Sequence, residues 1–124
     1  MSTTGNLAVV RSIQDTEVEK WDTTSVQMLP DGFQKTEDGK NPHFVLFYGK
    51  DLEDAYHVLT LAPESATKLN YTSSEGKQFA ARGEVKITVS GFKAQQIGEI
   101  DATLTDSSGQ VFELKGNFEG KNKL

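Results

Sequence analysis

Glu84-Val85-Lys86-Ile87-Thr88-Val89 alternates polar and β-branched apolar residues over its whole length. A period of two puts Val85, Ile87 and Val89 on one face and Glu84, Lys86 and Thr88 on the other, the pattern of a strand with one face in a core and one in water. The pattern continues on its C-terminal side. After a turn at Gly91–Gln95, Gln96–Thr105 alternates again, with Ile100, Ala102 and Leu104 opposite Glu99, Asp101 and Thr103. Asp106-Ser107-Ser108-Gly109 reads as a tight turn, because an Asp side chain accepts from the backbone two residues on and Gly supplies positive φ. Gln110–Phe118 returns with Phe112, Leu114 and Phe118 on one face. Runs of this kind joined by short turns predict an antiparallel meander.

Working back from the meander, Gln78–Ala81 and Lys68–Thr72 read as short strands separated by Ser73-Ser74-Glu75-Gly76. Ala55–Leu61 fits a strand, with Ala55, His57, Leu59 and Leu61 on one face. It also fits a helix through Leu52, Ala55, Tyr56 and Leu59 behind an Asp51 cap. Its β-branched and aromatic content, and Pro63 closing the run, favour the strand. His43–Tyr48 is nearly continuous apolar and is expected to be a central strand covered on both faces. Leu7–Ile13 and Val18–Leu29 are further strands, the second broken because Trp21 and Val26 differ in phase. Pro30-Asp31-Gly32 is a turn, and Glu37–Pro42 a polar loop. The sum is about eight or nine strands in an all-β, antiparallel domain, expected to be a β-sandwich, with a closed up-and-down, lipocalin-like barrel as the alternative.

The chain has 124 residues, enough for a single domain with one core; residues 1–5 are expected to be a tail and 120–124 a frayed end. There is no cysteine, which removes disulfides, thiolate nucleophiles and Cys-ligated metals. Thirteen Lys and Arg against 18 Asp and Glu give a net charge of −5, the wrong sign for a nucleic-acid binder. The longest apolar run, Phe44–Tyr48, is far shorter than the roughly 20 residues of a membrane-spanning helix. The start, Met-Ser-Thr-Thr-Gly-Asn, lacks the basic and apolar regions of a signal peptide. A native Met1 would place the chain in the cytoplasm, and a mature form outside it.

Gly83-Glu84-Val85-Lys86-Ile87-Thr88, Ile97-Gly98-Glu99-Ile100-Asp101-Ala102-Thr103-Leu104 and Gly109-Gln110-Val111-Phe112-Glu113-Leu114-Lys115-Gly116-Asn117-Phe118 together resemble the closing strands of small β-sandwich domains in bacterial lipoproteins and secreted proteins of unknown function. The resemblance covers residues 83–118. It implies a sandwich and an extracytoplasmic bacterial location, and brings no catalytic residue with it.

No Gly-x-Ser-x-Gly elbow, P-loop or His-Glu-x-x-His pattern is present, so no enzyme is expected. His43 and His57 lack the spacing of a zinc pair, and no cofactor is expected. Asp31, Asp38, Asp51 and Asp54 lie in acidic loops that could offer oxygens to calcium, but without EF-hand spacing they read first as solvated turns. Asn70-Tyr71-Thr72 matches a glycosylation acceptor. Phe44, Phe47, Phe112 and Phe118 read as core. Trp21, Tyr48, Tyr56, Tyr71 and Phe92 are the candidate ligand-binding aromatics, because exposed rings on a sandwich can stack a glycan or anchor a protein. Phe92 stands out, flanked by Gly91 and Lys93 in a turn where a large apolar side chain is hard to bury. The expectation is a non-enzymatic binding or structural module. A carrier of small apolar ligands and a protein-interaction subunit of phage or immunity type are the alternatives.

Overall fold

The computed structural model describes residues 3–36 and 41–122. It is all-β: β1 (Thr3–Ile13), β2 (Thr16–Thr23), β3 (Val26–Leu29), β4 (Gly32–Lys35), β5 (His43–Phe47), β6 (Ala55–Leu61), β7 (Lys68–Thr72), β8 (Ala80–Ser90), β9 (Gln95–Thr105) and β10 (Val111–Asn122). A six-stranded sheet has the order β2-β1-β10-β9-β8-β6, and a four-stranded sheet the order β3-β4-β5-β7. All pairings within the sheets are antiparallel. β2 and β6 are opposite edges of the larger sheet, so it is not closed into a barrel and the molecule is a sandwich.

The C-terminal meander forms as its alternation demands. β8, β9 and β10 bury every second residue, and Val85, Ile87, Val89, Ile100, Leu104, Phe112, Leu114 and Phe118 all enter the core. The Asp106 carboxylate accepts from the N–H groups of Ser108 and Gln110, each at 2.9 Å, and from the Ser108 hydroxyl. Gly109 sits at φ 88°. The Ser108 hydroxyl bond leads the interactions that hold the Asp106 carboxyl below its usual pKa.

The smaller sheet lies across this meander. Thr67, just before β7, bridges Leu61 at one edge of the larger sheet, while Tyr71 near the end of β7 reaches Glu19 and Trp21 of β2 at the other. β7 therefore crosses the larger sheet from edge to edge, a steep crossing of the orthogonal type. One apolar cluster fills the space between, with Leu7, Val9, Ile87 and Leu114 from the larger sheet against Met28, Phe33, Phe44 and Leu46 from the smaller.

Several sequence expectations change. Gln78–Ala81 is not a separate strand; its last residues open β8, which runs unbroken past Gly83. β4 was not anticipated, because only four residues separate its turn from the loop that follows; its Phe33 is fully buried. β5 is covered on one face only, since the smaller sheet has a single partner layer. Phe44, Leu46 and Tyr48 take the inner side, so Phe47 is 44% exposed rather than core. Thr3–Gly5 and Gly120–Asn122 are paired with one another as strand, not tail and frayed end.

One close approach fixes the packing of β9 on β10. Gly98 lies under the Phe118 ring, and a Cβ there would sit 2.4 Å from the ring's tip. That ring cannot swing away freely, since Phe33 packs on it with centroids 4.7 Å apart. Gly98→Ala is expected to destabilise the fold by about 1–3 kcal/mol through overpacking. Phe118→Leu in the same chain should recover part of that loss in denaturant titrations, and simple additivity of the two costs would refute the contact.

Candidate functional site

The structure divides the five candidate aromatics into two groups. Tyr48 and Tyr71 are buried, at 1% and 2% exposure, and Trp21 is half-buried against Tyr71. Tyr56 is 62% exposed and Phe92 97%.

The buried group is held by polar partners. Tyr48 donates to the Gln96 side-chain oxygen at 2.6 Å, and Gln96 donates to the Leu29 carbonyl at 2.8 Å, so a polar pair ties β9 to the smaller sheet. Burial pushes the Tyr48 hydroxyl pKa far up, so it stays neutral and donates. Trp21 stacks on Tyr71 and meets Phe44 edge-on. Trp21 Nε1 donates to the Tyr71 hydroxyl at 3.3 Å, and Tyr71 in turn donates to Glu19. Glu19 also accepts from the Ser74 backbone N–H at 2.9 Å and from the Ser74 hydroxyl. Burial acts to raise the Glu19 pKa, but the bonds from Ser74 and Tyr71, with the Arg11 charge, outweigh it and hold the carboxyl below its usual value.

Arg11 lies beneath this cluster at 3% exposure, on the inner face of β1 in phase with Leu7 and Val9. Its guanidinium carbon sits 5.1 Å from the Phe79 ring centroid and 4.6 Å from that of Phe112. Its Nη2 is 3.9 Å from Glu75, while its buried Nε has no hydrogen-bond partner among the described residues. Cation–π contact with two rings takes the place of the missing bonds. Arg11, Glu19, Ser74 and Phe79 were missed by sequence reading. A charge in phase with an apolar stripe was the available signal for Arg11. The cluster is closed and satisfied apart from that Nε, and it latches the β7–β8 loop onto the β2 edge.

The exposed group is built differently. β8 and β9 are joined by Gly91-Phe92-Lys93-Ala94, where Gly91, Phe92 and Lys93 have φ of 67°, 59° and 66°. Left-handed backbone costs a non-glycine residue about 1–2 kcal/mol. The Asp54 carboxylate holds it in place, accepting from the Phe92 N–H at 2.8 Å and the Lys93 N–H at 2.7 Å. Asp54 itself lies between Leu52, buried and bonded through its N–H to the Pro30 carbonyl, and the first residue of β6. Lys93 is also 3.4 Å from Glu53. The Phe92 ring thus stands in water on a hydrogen-bonded turn and does not fold back over the core.

Beside that turn, Tyr56, Thr88 and Ile97 form one cross-strand row on the outer face, and Val58, Lys86 and Glu99 form the next. Tyr56, Val58 and Ile97 are all about half exposed or more. Beyond them, Glu84, Asp101 and Lys115 form a row of charged side chains, which fits solvated outer strand positions.

Of the acidic loop residues considered for calcium, Asp54 spends its carboxylate on the Phe92 turn, and Asp31 uses its carbonyl on the Tyr48 N–H. Asp51 lies in the loop before β6, and Asp38 lies outside the described residues. Among the described residues, no three His, Asp or Glu side chains gather as a metal-binding group, and no helix is long and apolar enough to cross a membrane. Comparison with protein families, curated proteins and solved structures returned no match.

The Glu19 cluster makes a pH prediction. A carboxyl whose folded pKa is lowered contributes stability that is complete above its unfolded pKa, about 4.3, and is lost as pH falls through the lowered folded value. Glu19→Gln should cost about 1 kcal/mol at pH 7, allowing for solvent screening of a half-exposed group. The gap between variant and parent should close as unfolding is measured toward pH 3. A gap independent of pH would show that the carboxylate charge is not what matters.

Proposed function

We propose that the chain is a non-enzymatic binding module that recognises a protein partner through the turn carrying Phe92. One observation carries this reading: a phenylalanine 97% exposed, on backbone that disfavours it, clamped there by Asp54. Folding alone would be better served by Asn or Gly at that position. A residue that costs stability and exposes a large apolar ring is the kind found as an interface anchor.

A protein fits the turn better than a glycan. Sugar sites surround a ring with converging polar side chains in a cleft. Phe92 instead sits on a convex tip with Lys93 beside it, a shape for insertion into a partner's pocket. The resemblance of residues 83–118 to secreted and lipoprotein sandwich domains supports a place outside a bacterial cell. The closed barrel that a carrier of apolar ligands would need is not formed.

Phe92→Asn separates binding from folding. It should leave the fold intact and raise its stability by up to about 1 kcal/mol, since Asn tolerates left-handed backbone. In affinity capture from the native host, a protein held by the parent and by Val111→Asn, an equally apolar exposed site elsewhere, should be lost with Phe92→Asn. Equal retention by all three would overturn the proposal, as would recovery of lipid vesicles alone.

A further inference from the structure

The two edges of the larger sheet are treated differently. β2 carries Glu17, Glu19, Lys20 and Asp22, its pairing is broken by a register shift at Arg11/Ser12, and Ser74 is bonded over it. These are the devices that stop an edge from recruiting another strand. Over Ala55–Leu59, before Ser65 and Thr67 cover its end, β6 has none of them. Ala55-Tyr56-His57-Val58-Leu59-Thr60-Leu61 carries no Asp, Glu, Lys, Arg or Pro, and its register with β8 is continuous.

The direction of its free backbone groups follows from the bridge at its end. Leu61 bridges Thr67 in parallel, with the Ala62 N–H on the Thr67 carbonyl, and the Thr60 carbonyl accepts from Ser65. Thr60 and Ala62 therefore point away from β8. Strand alternation makes Tyr56 and Val58 do the same, leaving their N–H and C=O groups without a partner among the described residues at this edge.

We infer that β6 pairs antiparallel with β6 of a second copy of this chain, about a two-fold axis at His57. In this register Tyr56 of each copy exchanges both ladder bonds with Val58 of the other, and the occupied Thr60 carbonyl is not needed. A shift that centred the axis on Val58 would demand it. The same register sets Tyr56 against Val58 on the outer face. These are the two exposed apolar side chains of the strand, and each is covered by its counterpart as an aromatic–β-branched cross-strand pair. An edge that satisfies itself in hydrogen bonds and in apolar surface fits a second copy better than an unrelated strand. It also brings no like charges together in a chain of net charge −5. The contact is small, so the dimer is expected to be weak and concentration-dependent. It does not rest on the function proposed above, but it would set one Phe92 turn at each end of the shared edge.

The register can be read chemically, because the chain has no cysteine. His57 faces its own symmetry mate as a non-hydrogen-bonded pair, with Cα atoms about 4.5 Å apart, close enough for a disulfide. Purified His57→Cys should form a covalent dimer under mild oxidation at least tenfold faster than the exposed control Val111→Cys. Adding Val58→Lys, which touches no core residue, should abolish that advantage without altering the circular dichroism spectrum. Sedimentation of the parent chain should show dimer growing with concentration, and Val58→Lys should remain monomeric. Cross-linking of His57→Cys no faster than the control would overturn the inference. So would a parent chain that stays monomeric up to about millimolar concentration, including one that instead takes up another protein's strand at this edge.

Discussion

Everything in this molecule depends on one apolar interface, the inner face of the six-stranded sheet packed against the four-stranded sheet that crosses it. No disulfide braces it, because there is no cysteine. A strand buries one side chain in two, so its contribution is fixed by phase alone, and a slip of one residue would turn its apolar set to water. The meander resists that slip at both ends. The Asp106 turn fixes β9 against β10, and the Asp54-clamped turn fixes β8 against β9. Asp54 thus sets a core register and displays Phe92 with the same pair of hydrogen bonds.

The polar groups inside the interface lie where the two sheets must be aligned, not merely held together. Apolar contact is tolerant of sliding, whereas a hydrogen bond is not. Tyr48–Gln96–Leu29 aligns β9 with the end of β3 and the residue after β5. Trp21–Tyr71–Glu19–Ser74 aligns β2 with the end of β7. These networks sit at separate places along the crossing, so together they fix both the position and the angle of the smaller sheet. Arg11 fits this account less completely. Two rings and Glu75 surround its guanidinium, yet a buried ion with an unpaired Nε is a costly way to fill space.

The sequence was most legible where one face is wet. Val85, Ile87 and Val89 alternate with Glu84, Lys86 and Thr88, and the charges mark the outside without ambiguity. His43–Tyr48 offered no such contrast. Nothing in a continuous apolar run says that Phe47 faces water and Tyr48 the core, because that choice belongs to the pairing of Phe47 with Gly32 and Lys68. Gly32–Lys35 was invisible as a strand for a related reason: four residues are too short for a period to declare itself. The candidate aromatics show the same limit. A ring in a turn, such as Phe92, could be singled out from its neighbours Gly91 and Lys93. Tyr71 could not be placed until β7 was seen to run across the larger sheet to Trp21.

The outward-facing features follow from what the core leaves unspent. A sheet that does not close into a barrel must have two edges, and an unguarded edge recruits strands. At β2 the fold invests Glu19, a bulge and the Ser74 loop in closing one of them. At β6 it places no charge, bulge or proline, although an exposed lysine at Val58 would touch no core residue. The departure is local: the neighbouring outer positions of β8 to β10 are richly charged, with Glu84, Lys86, Glu99, Asp101 and Lys115 all in water. The uncharged strip along β6 and the bare phenylalanine on the strained turn beside it lie within a few residues of each other. The core needs neither the bare edge nor the exposed ring, since the Asp54 clamp that sets the β8–β9 register acts through backbone N–H groups and not through the Phe92 side chain.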